Sequence, residues 1–164
     1  MMIRHPSLQD LSRDHHAMLL HAQRLAHAAD RTPQDALNAS RSFLSFWTGS
    51  LLDHVEEEQF HAVESATETA IQGRYAQIHE VLRGAVDQLR ITLMDPQYFR
   101  ATVRAVSDAL KAHVSFCEAT LFFDLQTNVP EGELKRLGAE MTSYRRKRRP
   151  NSIGPNATEN CYLG

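Results

Sequence analysis

Apolar residues along positions 8–128 recur in alternating steps of three and four, the period of an amphipathic helix, while the alternation of a β-strand is nearly absent. The first stripe runs Leu8, Leu11, His15, Met18, Ala22 and Leu25, in a helix expected to start near Ser7 as N-cap and to end around Asp30. "DRTPQD" then makes a turn, with Pro33 suited to the first turn of a second helix. That helix carries Leu37, Leu44, Trp47, Leu51, His54, Glu58 and His61 on one stripe and fades near "VESAT". A third helix from about Thr67 puts Tyr75, His79, Leu82 and Val86 on one face before "LMDPQ" turns the chain. A fourth, from Pro96 to about Asn128, aligns Val103, Val106, Leu110, His113 and Cys117. Long helices joined by short connections predict an all-α, up-down-up-down four-helix bundle. "PEGELKRLGAEMTSY" predicts a short C-terminal helix, and "RRKRRPNSIGPNATENCYLG" a flexible tail with little to bury. "LLDHVEEE" in the second helix is echoed by "LKAHVSFCE" in the fourth, a faint internal repeat.

Length and charge refine this division. A chain of 164 residues is enough for one domain with a real core. Residues 1–144 form the expected bundle with a net charge of −6, and residues 145–164 the basic tail with +4. "RRKRR" could grip phosphates, but no recognition fold accompanies it, so nucleic-acid binding is not expected; the run is read as a solvated tail, with a protein partner as the alternative. The chain has no apolar stretch approaching the roughly 20 residues that cross a bilayer and no secretion signal at "MMIRHPSLQD", which predicts a cytoplasmic protein. Cys117 and Cys161 form no CxxC pair, in keeping with a reducing compartment.

Nine histidines is high for this length, and four of them fall on the apolar stripes of the four helices: His15, His54, His79 and His113. Around a turn near Ala66, His54 lies 12 residues before and His79 13 after, so the two are level. His79 and His113 differ by about 3 Å across the next turn, and His15 and His54 by roughly 7 Å across the first. A buried imidazole without a partner costs about 1–3 kcal/mol per polar group, so four in one apolar layer demand a common partner, and a metal supplies it. His54 and Glu58 are one turn apart and project inward together, whereas Glu56 and Glu57 fall on other faces and are expected in solvent. His16 and His21 point toward surfaces or helix interfaces, His61 lies about 10 Å beyond His54 on its stripe, too far for the same metal and suited to a supporting or surface role, and Asp14 is placed to orient a ligand imidazole.

Histidines with carboxylates suit iron, manganese or zinc. A ferritin-type di-iron site needs a Glu-x-x-His pair on each of two helices, and only Glu58 with His61 supplies one. The segments "DHHAMLLHAQRL", "HVEEE", "IHEVL" and "HVSFCEATLFF", in that order, resemble the hemerythrin-like, HHE cation-binding family across about residues 8–128. That resemblance implies two iron ions, with His15, His54, His79 and His113 as terminal ligands, Glu58 as a bridging carboxylate and Glu118 as the second bridge. Glu118 is five residues beyond His113, so it needs a local bulge or a reach between two metals. Cys117 is better aimed and is either a thiolate ligand or a small apolar filler, the second being the usual role. Tyr75 stands where oxygen carriers of the family have a further histidine, and it packs, donates a hydrogen bond or ligates. The shorter ligand set leaves coordination positions open. A small diatomic or peroxide ligand (oxygen, nitric oxide or peroxide) in sensing, detoxification or redox chemistry is therefore expected over reversible oxygen transport. The alternatives are an iron-responsive regulatory module without turnover, and a metal-free scaffold whose histidines only hydrogen-bond.

Overall fold

The computed structural model describes residues 3–148, and these are helical apart from short connections, with no strand among them. The helices are α1 (Gln9–Ala29), α2 (Pro33–Phe46), α3 (Leu52–Glu57), α4 (Thr69–Thr92), α5 (Pro96–Phe116), α6 (Phe122–Asn128) and α7 (Glu131–Arg148). Two π-helical turns, Trp47–Leu51 and Glu58–Val63, join α2 and α3 into one rod that continues to residue 63. A third, Cys117–Leu121, joins α5 to α6. Helix α5 packs against α1, α2 and α4, and α1 also packs against α2. No helix of the described residues is long and apolar enough to cross a membrane.

The helix ends follow from local chemistry. Thr32 and Asp35 form a capping box at the start of α2, with Asp35 N donating to Thr32 Oγ1 at 3.1 Å and Thr32 N to Asp35 Oδ2 at 3.3 Å. Ser7 does not cap α1 as expected. A 3₁₀ turn, Pro6–Leu8, comes first, and the Ser7 amide donates to His5 Nδ1 at 3.1 Å. Helix α4 starts at Thr69, and just before it the Thr67 amide and hydroxyl both donate to the buried carboxylate of Asp124.

All six stripe positions expected on α1 are buried, as are Val103, Val106, Leu110, His113 and Cys117 along α5 and the turn after it. In α2 the buried face is Ala36, Ser40 and Phe43, with Leu37 and Leu44 at its edge. The core falls into two apolar clusters. One includes Met18, Leu51, Leu82 and Leu110; the other includes Leu11, Tyr75, Cys117 and Phe122. His15, His79 and His113 each stand between a residue of one cluster and a residue of the other on their own helix, so the histidines form a polar layer dividing the apolar interior.

Helix α7 is longer than the short helix expected. It runs through Arg148, past the position-145 start of the expected tail, while residues 149–164 lie outside the described residues. It rests on the Pro6–Leu8 and Glu58–Val63 turns through Leu134, Leu137 and Met141. Gly138 makes close approach possible, because a Cβ there would lie 2.5 Å from Ser7 Oγ and 3.0 Å from Ser7 Cα. Gly138→Ala is therefore expected to destabilise the fold by about 1–3 kcal/mol, despite alanine's helix preference of about 1 kcal/mol. Urea unfolding of the variant against the parent checks this, and equal midpoints would refute it.

Candidate metal centre

Helix α1 brings in His15, α3 His54, and α5 His113, while Glu58 opens the π turn that follows α3. One ligand atom from each of these four lies within 4.8 Å of every other, and all four residues are buried. The ring centroids are 5.0 Å apart for His15 and His54, 5.7 Å for His15 and His113, and 6.3 Å for His54 and His113. His15 and His54 meet despite the roughly 7 Å offset estimated for this pair; the Trp47–Leu51 π turn, between Pro33 and His54, changes the rise and rotation that an ideal helix would have there.

Several polar atoms in this layer are buried without a hydrogen-bond partner: Nε2 of His15, His54 and His79, Nδ1 of His113, and Oε1 of Glu58. His15 Nε2 comes within 3.2 Å of Glu58 Oε1 yet is out of line for a hydrogen bond. His113 turns its Nε2 to Glu58 Oε2 at 3.1 Å, and imidazole nitrogens and a carboxylate oxygen left unpartnered in one buried layer fit a cation. The His15, His54, Glu58 and His113 cluster could hold a metal ion.

His79 stands next to this group. Its ring is 6.2 Å from that of His113 and stacks on Tyr75 at 5.6 Å with planes 5° apart. Burial, with the charges of His113 and Arg83, holds its pKa down to about 4, so the imidazole is neutral at pH 7. Glu118 is turned elsewhere. The π turn Cys117–Leu121 supplies the expected bulge, but it directs the Glu118 carboxylate to His15 Nδ1 at 2.7 Å and to the Arg4 guanidinium. Against burial, the bond from His15 keeps Glu118 down to about 2.

The faint repeat has a structural form. A π turn starts four residues after a histidine of the cluster in both rods, at Glu58 after His54 and at Cys117 after His113. Cys117 thus occupies the position corresponding to Glu58. Its Sγ is 3.8 Å from His113 Nε2, and burial together with the charge of Glu58 raises its pKa well above the ordinary thiol value, so it is a thiol within the apolar cluster. Tyr75 both packs and bonds: it is fully buried, and its hydroxyl donates to Glu58 Oε2 at 2.9 Å.

Glu58 is surrounded by hydrogen and charge donors. Burial alone would raise its pKa, but His113, His15 and His54 hold it well below the carboxylate range. His15 lies between two carboxylates, and against burial the bond to Glu118 and the adjacent charge of Glu58 raise its pKa to about 9. A metal ligand must be neutral, so at pH 7 His15 gives up a proton when a cation takes its Nε2. Affinity is then expected to rise about tenfold per pH unit between 7 and 9 and to level off above 9. Titrations in two buffers of different ionisation enthalpy would read the released proton, and a pH-independent affinity would refute the assignment.

The surrounding groups include several that the sequence did not single out. Glu57, expected in solvent, is 3% exposed, and its Oε1 accepts from Arg145 Nε at 2.7 Å. Glu56 accepts from Tyr144 Oη at 3.2 Å and from Arg148. Glu56 keeps a 44% exposed side chain, as expected, whereas Glu57 is buried because α7 covers that face of the rod. Asp14 does orient an imidazole, that of His54, whose Nδ1 is 3.0 Å from Asp14 Oδ2. A cavity of about 310 Å³ opens beside His54, lined by Asp14, Ser50, Glu57, Tyr144, Arg145 and Arg148 among others. His21 stacks on Phe46 at 4.3 Å, an interface role. Compared with family models, curated proteins and solved structures, the chain matches none of them.

Proposed function

We propose that this protein is a hemerythrin-like, non-haem di-iron protein built as an up-down-up-down four-helix bundle. It binds or reacts with a small ligand such as oxygen, nitric oxide or peroxide in a sensing, detoxification or redox role. The observation that carries this reading is the layer of buried imidazole nitrogens and the Glu58 oxygen that no protein group satisfies. One iron would take His15, His54, Glu58 and His113. A second would draw on His79, with Glu118 free to join only by giving up His15 Nδ1. Iron supplies electron transfer and open coordination positions.

The chain's own residues do the rest. Asp14 and Glu118 each engage Nδ1 of a ligand histidine, which presents the other nitrogen inward. Tyr75 holds one oxygen of Glu58 and leaves the other unpartnered. The apolar clusters border the layer, and the cavity lined by His54 reaches its edge.

Elemental analysis of protein expressed with iron tests the reading. Two irons per chain, and an absorption change when anaerobic Fe(II) protein meets air, are expected. Iron-free protein that takes up no Fe(II) would refute it. A regulatory module without turnover is the second reading, and the attachment of α7 to a ligand histidine through Asp14 favours it.

A further inference from the structure

We infer that Arg145, on α7, is a positioning residue for His54, and that through it docking of α7 and filling of the metal site favour one another. This rests on the metal reading above. Arg145 Nη2 donates to Asp14 Oδ2 at 2.7 Å, and the same oxygen lies 3.0 Å from His54 Nδ1. A neutral imidazole that donates from Nδ1 carries its lone pair on Nε2, and that atom of His54 is the unpartnered one facing the cluster. The chain from Arg145 through Asp14 to His54 therefore sets the tautomer and the aim of a ligand.

Asp14 needs this help. Its side chain is 36% exposed, so packing alone does not fix it. The buried Glu57 is near enough for the two carboxylates to repel, and Arg145 neutralises both, bonding Glu57 through Nε and Asp14 through Nη2. A guanidinium can serve two acids in fixed directions, which a lysine ammonium does less well. Without Arg145, Asp14 would swing toward water and His54 would lose its anchor.

The same contact holds the end of α7. Beyond Met141 the helix is attached by polar groups: Tyr144 to Glu56, Arg145 to Asp14 and Glu57, and Arg148 to Asp53 and Glu56. Arg148 serves as an internal comparison, because its acids touch no ligand imidazole while it anchors the same turn. If metal binds better when α7 is docked, α7 docks better when metal is bound, by the same factor.

Co(II) titration of the whole chain, with amide hydrogen exchange over residues 131–148, tests the inference. Arg145→Ala is expected to weaken Co(II) binding about 10–100-fold, as is Asp14→Ala, with the double variant no worse than either single one. Arg148→Ala is expected to stay within about threefold of the parent, although α7 loosens in both. Co(II) should slow exchange at residues 141–148 in the parent and in Arg148→Ala but not in Arg145→Ala. In metal-free protein the ¹⁵N signals of His54 should show Nδ1–H in the parent and Arg148→Ala, and shift toward a tautomer mixture in Arg145→Ala. Because Arg145→Ala leaves Glu57 buried without a cation, Arg145→Lys is a second variant. It keeps the charge and should bind with intermediate affinity. Parent-like affinity in Arg145→Ala, or equal losses in Arg145→Ala and Arg148→Ala, would overturn the inference and leave the metal reading intact. A parent that binds no Co(II) or Fe(II) would overturn both.

Discussion

Glu58→Gln is expected to lower metal affinity by more than about 100-fold, beyond the 10–100-fold typical of groups that only orient a ligand. Glu58 is the only carboxylate among the four residues whose ligand atoms converge, and it is fully buried. The amide keeps the shape and can still accept from Tyr75, so the variant should fold. What it removes is the anion. Three neutral imidazoles would then have to take a divalent cation out of water with no charge to offset its desolvation. Metal content of the purified variant, with its circular dichroism as a folding control, reads the effect. Retention of the parent's stoichiometry and affinity would show that Glu58 is not a ligand.

Metal itself should stabilise the protein strongly. At free metal about a thousandfold above Kd, mass action adds about 4 kcal/mol, which for a chain of this size raises Tm by about 8–16 °C. The physical source is the unsatisfied layer: each buried polar group left without a partner costs about 1–3 kcal/mol, and Nε2 of His15, His54 and His79, Nδ1 of His113 and Oε1 of Glu58 are all in that state. Calorimetry of the metal-free protein, with and without Fe(II) under anaerobic conditions and again after chelator, measures it. An unchanged Tm would mean the histidines are settled without a cation, the metal-free scaffold reading. Gly138→Ala should lower Tm in both states by a similar amount, since its clash with Ser7 lies away from the ligand layer.

Periodicity and composition reached far into this molecule. The stripes of α1 and α5 are buried as their spacing requires, because a helix of 3.6 residues per turn leaves only one face to the interior. Counting residues from the turns put His54, His79 and His113 near one level and His15 roughly 7 Å off, whereas the structure gathers His15, His54 and His113 and leaves His79 beside them. Glu58 followed from His54 by the i,i+4 rule. Glu118 was less legible. Its spacing asked for a bulge and the bulge is there, but whether the carboxylate meets a metal or an imidazole depends on Arg4, more than a hundred residues away in sequence.

By itself, then, the sequence determined the helical class, the inward faces and the histidine layer, all consequences of local periodicity and of the cost of burying imidazole. Only the tertiary structure decided which carboxylate serves which histidine, that Glu57 is buried, and that Arg145 bonds Asp14 and Glu57. Those pairings join α1, α3, the Cys117–Leu121 turn and α7 across the fold, and a charge acquires its partner from whatever packs over it, which no spacing along one helix encodes.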